Sequence, residues 1–388
     1  MTRIAIVAAR RTPQGRFLGA LARRSSVDLA VAAGTRLIQD LPDPAIVERI
    51  DQTIIGNVLS AGSGMNVARQ IAVRLNLPLA SPAFSVNMMC ASGMKAVMLA
   101  CQAIRAGEAQ LVLCGGTESM SQAPYLAPRV RSGLKLGDAT LVDSVLHDGL
   151  IDAFDHQHMG VNADRLAAQF GISRQDQDDF AAESQRRCAA AVAAERFSAE
   201  TAPLPELAYD EHPRPQTTAE SLAKLAPAFG SQGTVTAGNA SGLNDAAAML
   251  LVCGAEFAER HGLKPLAFID GQAECGCDPA QMGLGPVHAT RKLLLSDRLK
   301  IEDFDAIEIN EAFAAQALAC IRSLSLADPA IVNPDGGAIA LGHPIGASGA
   351  RLIVHLAHRI DQGLSRHALA TLCVGGGMGT AVRLTRPS

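Results

Sequence analysis

The stretch "SVNMMCASGMKAVMLACQAI", Ser85 to Ile104, runs from a short apolar segment through Val-Asn and a Ser-Gly turn into a helix-like run. A second stretch, "IVNPDGGAIALGHPIGASGARLIVHLAHRI" from Ile331 to Ile360, goes through the same steps: Val-Asn, a glycine-bearing turn, Ser-Gly, then a helix. Their flanks agree too. "DQTIIGN" (Asp51 to Asn57) precedes the first and "DAIEIN" (Asp305 to Asn310) the second, while "LVLCGG" from Leu111 and "ATLCVGGG" from Ala370 follow them. Order and offset match at several points, so one set of elements occurs twice. Each copy alternates β-rich runs with helices, which predicts two similar α/β halves with mainly parallel sheets and helices on their faces. The helix after Cys90 is apolar nearly all round (Met94, Val97, Met98, Leu99, Cys101, Ile104), which predicts burial between layers, shared by two sheets.

The rest of the chain narrows the class. Its 388 residues, 48% hydrophobic and 19% charged, imply a globular protein with a large core. A formal charge of -4 and a pI near 6.2 give no basic field for nucleic acid, and no polybasic cluster marks a membrane surface, so small molecules are the expected partners. No apolar run reaches the roughly 18 residues of a spanning helix. "MTRIAIVAARRTP" reads as a strand and turn and not as a signal peptide, so a cytoplasmic protein is expected. Nine cysteines fall mostly in apolar segments with no Cys-x-x-Cys pair, which points to neither a zinc site nor a disulfide framework. Residues 121–236 differ in character, with "RVRSGLKLGD", a charged helix around Gln175 to Glu195 and the Pro-rich "EHPRPQTT". They read as an insertion of loops and surface helices, the kind of excursion that carries binding residues. The expected division is therefore a first half at 1–120, completed by about 237–265, the insertion at 121–236, and a second half at 266–388.

Three residues stand out for chemistry. Cys90 follows an apolar strand and precedes a helix at once, where the positive end of the dipole favours thiolate; it is either a nucleophile or a buried core cysteine. Cys373 in "TLCVGGGMGTA" ends another apolar strand before three glycines, whose successive N–H groups can bind an oxyanion; a sheet-core cysteine is the other reading. His343, set among the glycines of "GGAIALGHPIGASGAR", supplies a titratable base. The same segment fails as a phosphate loop, because His-Pro follows Gly342 where Lys-Ser/Thr is required. "CGGTES" and "CVGGGMG" lack the full dinucleotide fingerprint.

Five motifs in order, "VNMMCASGMKA", "GNASGLNDAAA", "NEAFAA", "GGAIALGHPIGASGAR" and "CVGGGMG", resemble those of the thiolase family, in particular its biosynthetic acetyl-CoA acetyltransferases. The resemblance runs from Arg3 to Leu384. It implies two duplicated α/β domains in five layers (αβαβα) with an inserted loop domain, and reversible Claisen condensation of two acetyl-CoA to acetoacetyl-CoA and CoA. By the same resemblance Cys90 is the acylated nucleophile, His343 its activator and Cys373 the acid/base at Cα. One oxyanion hole is implied for His343 with a water held by Asn310, the other for the backbone N–H groups of Cys90 and Gly375. The implied coenzyme A contacts begin with Leu150, His158 and Met159, then Arg214, Ser221, Ala228 and Phe229. They continue with Ala237, Ser241 and Leu243, and end with Met282, Ala312 and Phe313. No cofactor beyond the CoA thioesters is implied, and a homotetramer, a dimer of dimers, is the expected assembly. "CASG" stands for the commoner "CGSG", "NDAAA" for "NDGAA", and Ala226 replaces a frequent arginine; these bear on acyl preference and CoA contacts. The alternatives are a degradative 3-ketoacyl-CoA or 3-oxoadipyl-CoA thiolase and a catalytically silent acyl-CoA binding relative; a decarboxylating ketosynthase would not need Cys373.

Overall fold

The computed structural model describes residues 2–387; Met1 and Ser388 lie outside the described residues. Nine strands carry the fold: β1 (Ile4–Arg11), β2 (Gln52–Gly56), β3 (Ala83–Val86), β4 (Leu111–Ser119), β5 (Asn244–Gly254), β6 (Ala267–Gly276), β7 (Ala306–Ile309), β8 (His367–Val374) and β9 (Met378–Thr385). They hydrogen-bond in the order β3-β2-β4-β5-β1-β6-β9-β8-β7, with the two-residue strand Gly15–Arg16 added against β5. From the centre outward the order matches on both sides over four strands, and the fifth, β3, has as its counterpart only the single bridged residue Val332 beside β7. β1 and β6 meet at the middle, β5 and β9 flank them, then come β4 and β8, then β2 and β7, so the duplication seen in the sequence is a duplication of topology.

The expectation of mainly parallel sheets is corrected here. Only β3 with β2, β2 with β4, and β8 with β7 are parallel; the five pairings nearer the centre are antiparallel. The physical reason is in the connections. β8 turns directly into β9 through Gly375 to Gly377, and a tight hairpin can only join antiparallel neighbours. In the first half the long excursion after β4 returns the chain as β5, antiparallel to it.

Alternation along the strands builds the layers. In β4, Val112 and Cys114 join the central apolar cluster, while Leu111 and Leu113 face the outer helices Ser26–Gln39 and Val67–Arg74. On the other half the helices Gly285–Asp297 and Ala314–Leu324 cover the outer face. The central cluster contains two helices, Ser92–Ala106 and Ile345–Asp361, together with the inward residues of both sheet halves. The first of these is the apolar helix the sequence singled out, buried between layers as expected.

Bare backbone lets the two central helices touch near their N-termini. A side chain at Gly93 would lie 2.8 Å from the Gly346 carbonyl oxygen and 2.9 Å from the Ala350 nitrogen, and one at Gly349 would lie 2.7 Å from Met94 Cβ. Further along the second helix a buried ionic cluster ties the halves to the insertion. Glu200 pairs with Arg11 at 2.6 Å and with His355 at 2.9 Å; Asp335 pairs with His355 at 3.3 Å and with Arg359 and Arg196. Arg11 also meets Asp210 at 2.6 Å, and Arg351 meets Glu308 at 3.1 Å.

Burial alone would lower the His355 pKa, but Glu200, Asp335 and Glu308 raise it to about 9, while Glu200 itself, despite burial, is held down to about 2 by Arg11 and His355. The raised histidine contributes stability that is full below its ordinary value near 6.5 and is lost as pH rises through 9. Wild-type resistance to urea is therefore expected to fall between pH 6.5 and 9.5 by more than that of His355→Gln; parallel curves would mean that His355 is not charged in the fold. Gly93→Ala is expected to lower unfolding stability by about 1–3 kcal/mol through overpacking, even though alanine is the better helix former. Urea titration of the variant checks this, and a gain in stability would show that the helices do not meet at Gly93.

Candidate active site

Cys90 sits on a tight turn whose geometry is set locally. Met89, just before it, has φ of 46°, the left-handed region that costs a side-chain-bearing residue energy and needs support from its surroundings. Support comes from both sides. The Asn87 side chain accepts the Met89 N–H at 3.0 Å, and Ser92 Oγ accepts the Met88 N–H at 2.9 Å while donating to the Met89 carbonyl at 2.6 Å. The turn turns Cys90 toward a cavity of about 380 Å³.

His343 reaches the same cavity from the second glycine-rich turn. Gly342 has φ of 105°, and its missing side chain leaves room for Asn244, whose Oδ1 accepts the His343 N–H at 2.9 Å. Ser348 Oγ lies 2.6 Å from His343 Nδ1 and 2.9 Å from the Pro344 carbonyl. A hydroxyl has one proton to give. With it donated to Pro344, Ser348 accepts from an Nδ1–H, which leaves Nε2 of the imidazole unprotonated. Asn310 Nδ2 stands 3.4 Å from that Nε2, and Asn310 Oδ1, buried behind the ring, has no protein partner. Burial, reinforced by Arg351, pushes the His343 pKa down to about 3, so the ring is neutral.

The helix-end position of Cys90 predicted a favoured thiolate, and the structure reverses that direction. Burial pushes the thiol up to about 11, and the Glu118 carboxylate adds to it; the N–H groups of Gly375 and of Cys90 itself point at the sulfur and pull the other way. Loss of hydration outweighs the helix end. Cys373, at the end of β8, is buried in the same cavity wall and is raised well above the ordinary thiol value by burial and then by the neighbouring Cys90 sulfur. Gly375 begins the following hairpin and also lines the cavity. Glu118, at the end of β4, binds the structure beneath: it accepts the Val58, Leu59 and Gly346 N–H groups and the Asn57 amide at 2.8 to 3.2 Å. Burial raises it to about 7 against those bonds.

The residues expected to meet coenzyme A are mostly brought together. Leu150, His158, Met159 and Arg214 line the cavity, as do Ala228 and Phe229. Ala237, Ser241, Leu243, Met282, Ala312 and Phe313 line it too. His158 caps the helix Met159–Gln169, its Nδ1 accepting the Gly160 N–H at 3.0 Å, and its ring stacks on Phe229 at 4.3 Å. One expected contact lies elsewhere. Ser221 sits in a neighbouring shallow depression that shares only Arg214 with the main cavity, because it is spent on capping the short helix Ala219–Ala223. Asn310, expected to hold a water beside His343, has its amide Nδ2 3.4 and 3.5 Å from the two ring nitrogens and does not itself line the cavity.

Several lining residues escaped the sequence reading: Leu146, Gly149, His212, Gly242 and Ile345 among them. His212 is two positions before Arg214 in "EHPRPQTT" and Ile345 is two after His343, so adjacency was the available signal. His212 is half-buried, lowered to about 4 chiefly by loss of hydration, and faces Asn244 Nδ2 at 3.4 Å. Chemically the site holds two thiols, a neutral imidazole with a free nitrogen, and backbone N–H groups aimed at a sulfur, all in an apolar cleft. That equipment suits transfer of an acyl group between sulfurs.

Comparison with known proteins agrees with this geometry. The thiolase N-terminal domain profile matches residues 4–256 and the thiolase C-terminal domain profile residues 263–386. Acetyl-CoA acetyltransferase of Pseudomonas aeruginosa is 49% identical over 395 residues, covering 100% of both chains. The crystal structure of human mitochondrial 3-ketoacyl-CoA thiolase in complex with CoA superposes with a TM-score of 0.96 at 42% identity, over 100% of this chain and 98% of that one. The Bacillus anthracis acetyl-CoA acetyltransferase gives 0.93 at 38% identity over 99% of each. A duplicated α/β fold, five ordered motifs and full-length similarity to such proteins have one common source: the chain belongs to the thiolase family.

Proposed function

We propose that the protein is an acetyl-CoA C-acetyltransferase, joining two acetyl-CoA into acetoacetyl-CoA and free CoA and running the reverse thiolysis through an acetyl thioester on Cys90. The observation that carries this reading is the convergence of Cys90, His343, Cys373 and Gly375, from three separate segments, on one apolar cavity. In the first half-reaction His343 Nε2 takes the Cys90 proton, the sulfur adds to the acetyl-CoA carbonyl, and the C–S bond to CoA breaks. The CoA sulfur leaves with the proton of Cys373, which becomes a thiolate, while His343 keeps the proton taken from Cys90. In the second, the Cys373 thiolate removes a proton from Cα of another acetyl-CoA, the resulting carbanion forms the new C–C bond at the acetyl carbonyl, the bond to Cys90 breaks, and the Cys90 sulfur takes back the proton from His343. Charge on the enolate oxygen of the second acetyl-CoA would be met by His343 and a water held by Asn310. The N–H groups of Cys90 and Gly375 would meet it on the acetyl-Cys90 carbonyl.

Burial fits the starting state such a route needs: a protonated thiol beside an unprotonated base. Thiol, imidazole and backbone donors supply every step, so the route requires no metal or prosthetic group. CoA would lie along His158, Arg214 and Phe229, with residues 121–236 as the binding insertion and Arg214 available to stack on adenine. Exposed apolar side chains at Met65, Leu79 and Phe84 near the edge strand β3, and at Leu134, Leu136 and Leu141 in the insertion, support the proposed homotetramer. No helix among the described residues is long and apolar enough to cross a membrane, and we place the enzyme in the cytoplasm.

The similarity to a 3-ketoacyl-CoA thiolase keeps a longer-chain thiolase as the second reading. Intact-protein mass after mixing with acetyl-CoA is expected to show one acetyl group, absent in Cys90→Ala, which loses both directions. Cys373→Ala is expected to keep the adduct and lose condensation by about a hundredfold or more. Turnover by Cys90→Ala at the wild-type rate would remove the covalent route; normal condensation by Cys373→Ala would remove only the role given to that thiol.

A further inference from the structure

The segment Val145–Leu150 forms one turn of π-helix, closed by the Ile151 N–H reaching back five residues to the Leu146 carbonyl at 2.8 Å. A π turn holds one more residue than the α turn it replaces and re-aims the side chains beside it, and such turns recur at functional sites. This one borders the cavity through Leu146, Gly149 and Leu150. Gly149 has no side chain where one would lie 3.3 Å from Ile345 Cδ1 and 3.6 Å from Leu59 Cδ2. Leu59, Ile345, Val58, Met120 and Val145 form a buried apolar cluster, and Cys90 packs against it.

The opposite wall is fixed. Both Val58 and Leu59 donate their N–H groups to the buried Glu118 carboxylate, at 3.1 and 3.2 Å, and the same carboxylate accepts the Gly346 N–H at 2.9 Å. Leu59 and Ile345 are therefore held from behind by one group, and the space between them and Gly149 cannot widen without breaking charge-assisted hydrogen bonds.

We propose that the π turn, through the bare backbone of Gly149 facing Ile345 and Leu59, limits the acyl group that Cys90 accepts to a short, straight, apolar chain. This rests on Cys90 being the acylated residue and goes beyond it, assigning chain-length selection to named residues outside the catalytic set. The test compares kcat/KM for thiolysis of acetoacetyl-CoA and of 3-oxohexanoyl-CoA in wild type, Leu59→Ala and Gly149→Ala, with Ile345→Val as a milder opening of the same wall. One methylene in an apolar pocket is worth about tenfold or more. The six-carbon to four-carbon ratio is expected to rise about tenfold in Leu59→Ala, to rise severalfold in Ile345→Val, and to fall in Gly149→Ala. A ratio that stays within twofold in all three variants, or equal losses for both substrates, overturns the assignment. Intact mass after acetyl-CoA separates the two levels: an adduct on Cys90 with an unmoved ratio sinks only the chain-length device, and no adduct sinks both.

Discussion

The contact on which the rest depends is the crossing of two helices at a place with almost no side chains. Gly93 on one and Gly346, Gly349 and Ala350 on the other let backbone meet backbone near both N-termini. Each helix is entered from a turn that carries a cavity-lining residue, Cys90 in one copy and His343 in the other. Bringing the helix starts together therefore brings the thiol and the imidazole to one cavity. The sheets, the outer helices and the ionic cluster serve to hold that crossing in register.

Burial then decides the chemistry, and it does so against local expectation. A cysteine at a helix start in water would be acidified; here the lost hydration is larger than the helix field and the thiol stays protonated. The same loss keeps His343 neutral. Away from the cavity, burial is answered with opposite charge, and His355 is held cationic between Glu200 and Asp335. Two histidines on one segment, twelve positions apart, thus rest in opposite protonation states because one faces an apolar cleft and the other faces carboxylates.

Much of this was legible in the chain because it is short-range. The repeated order of strand, turn and helix, the apolar character of the helix after Cys90, and the glycines around His343 are all contained within a few dozen residues. The strand directions were not, since they depend on a hairpin at Gly375 to Gly377 and on where a long insertion returns. Ser221 illustrates the same limit: its hydroxyl and N–H are used within its own turn, and only the folded chain reveals that it stands outside the main cavity. The π turn at Val145–Leu150 has no periodic signature, because one extra residue in a single turn does not disturb a pattern read over many.

The pairing of β1 has a consequence for how the chain is made. β1 lies at the centre of the sheet, yet both of its partners, Asn244–Gly254 and Ala267–Gly276, come from far along the sequence. At a ribosomal pace of about 5–20 residues per second, β1 waits on the order of ten to fifty seconds for a neighbour. Until then Ile4 and Ile6, fully buried in the finished protein, have only solvent or a chaperone to meet. A strand at the centre of the sheet is thus among the last to find its place.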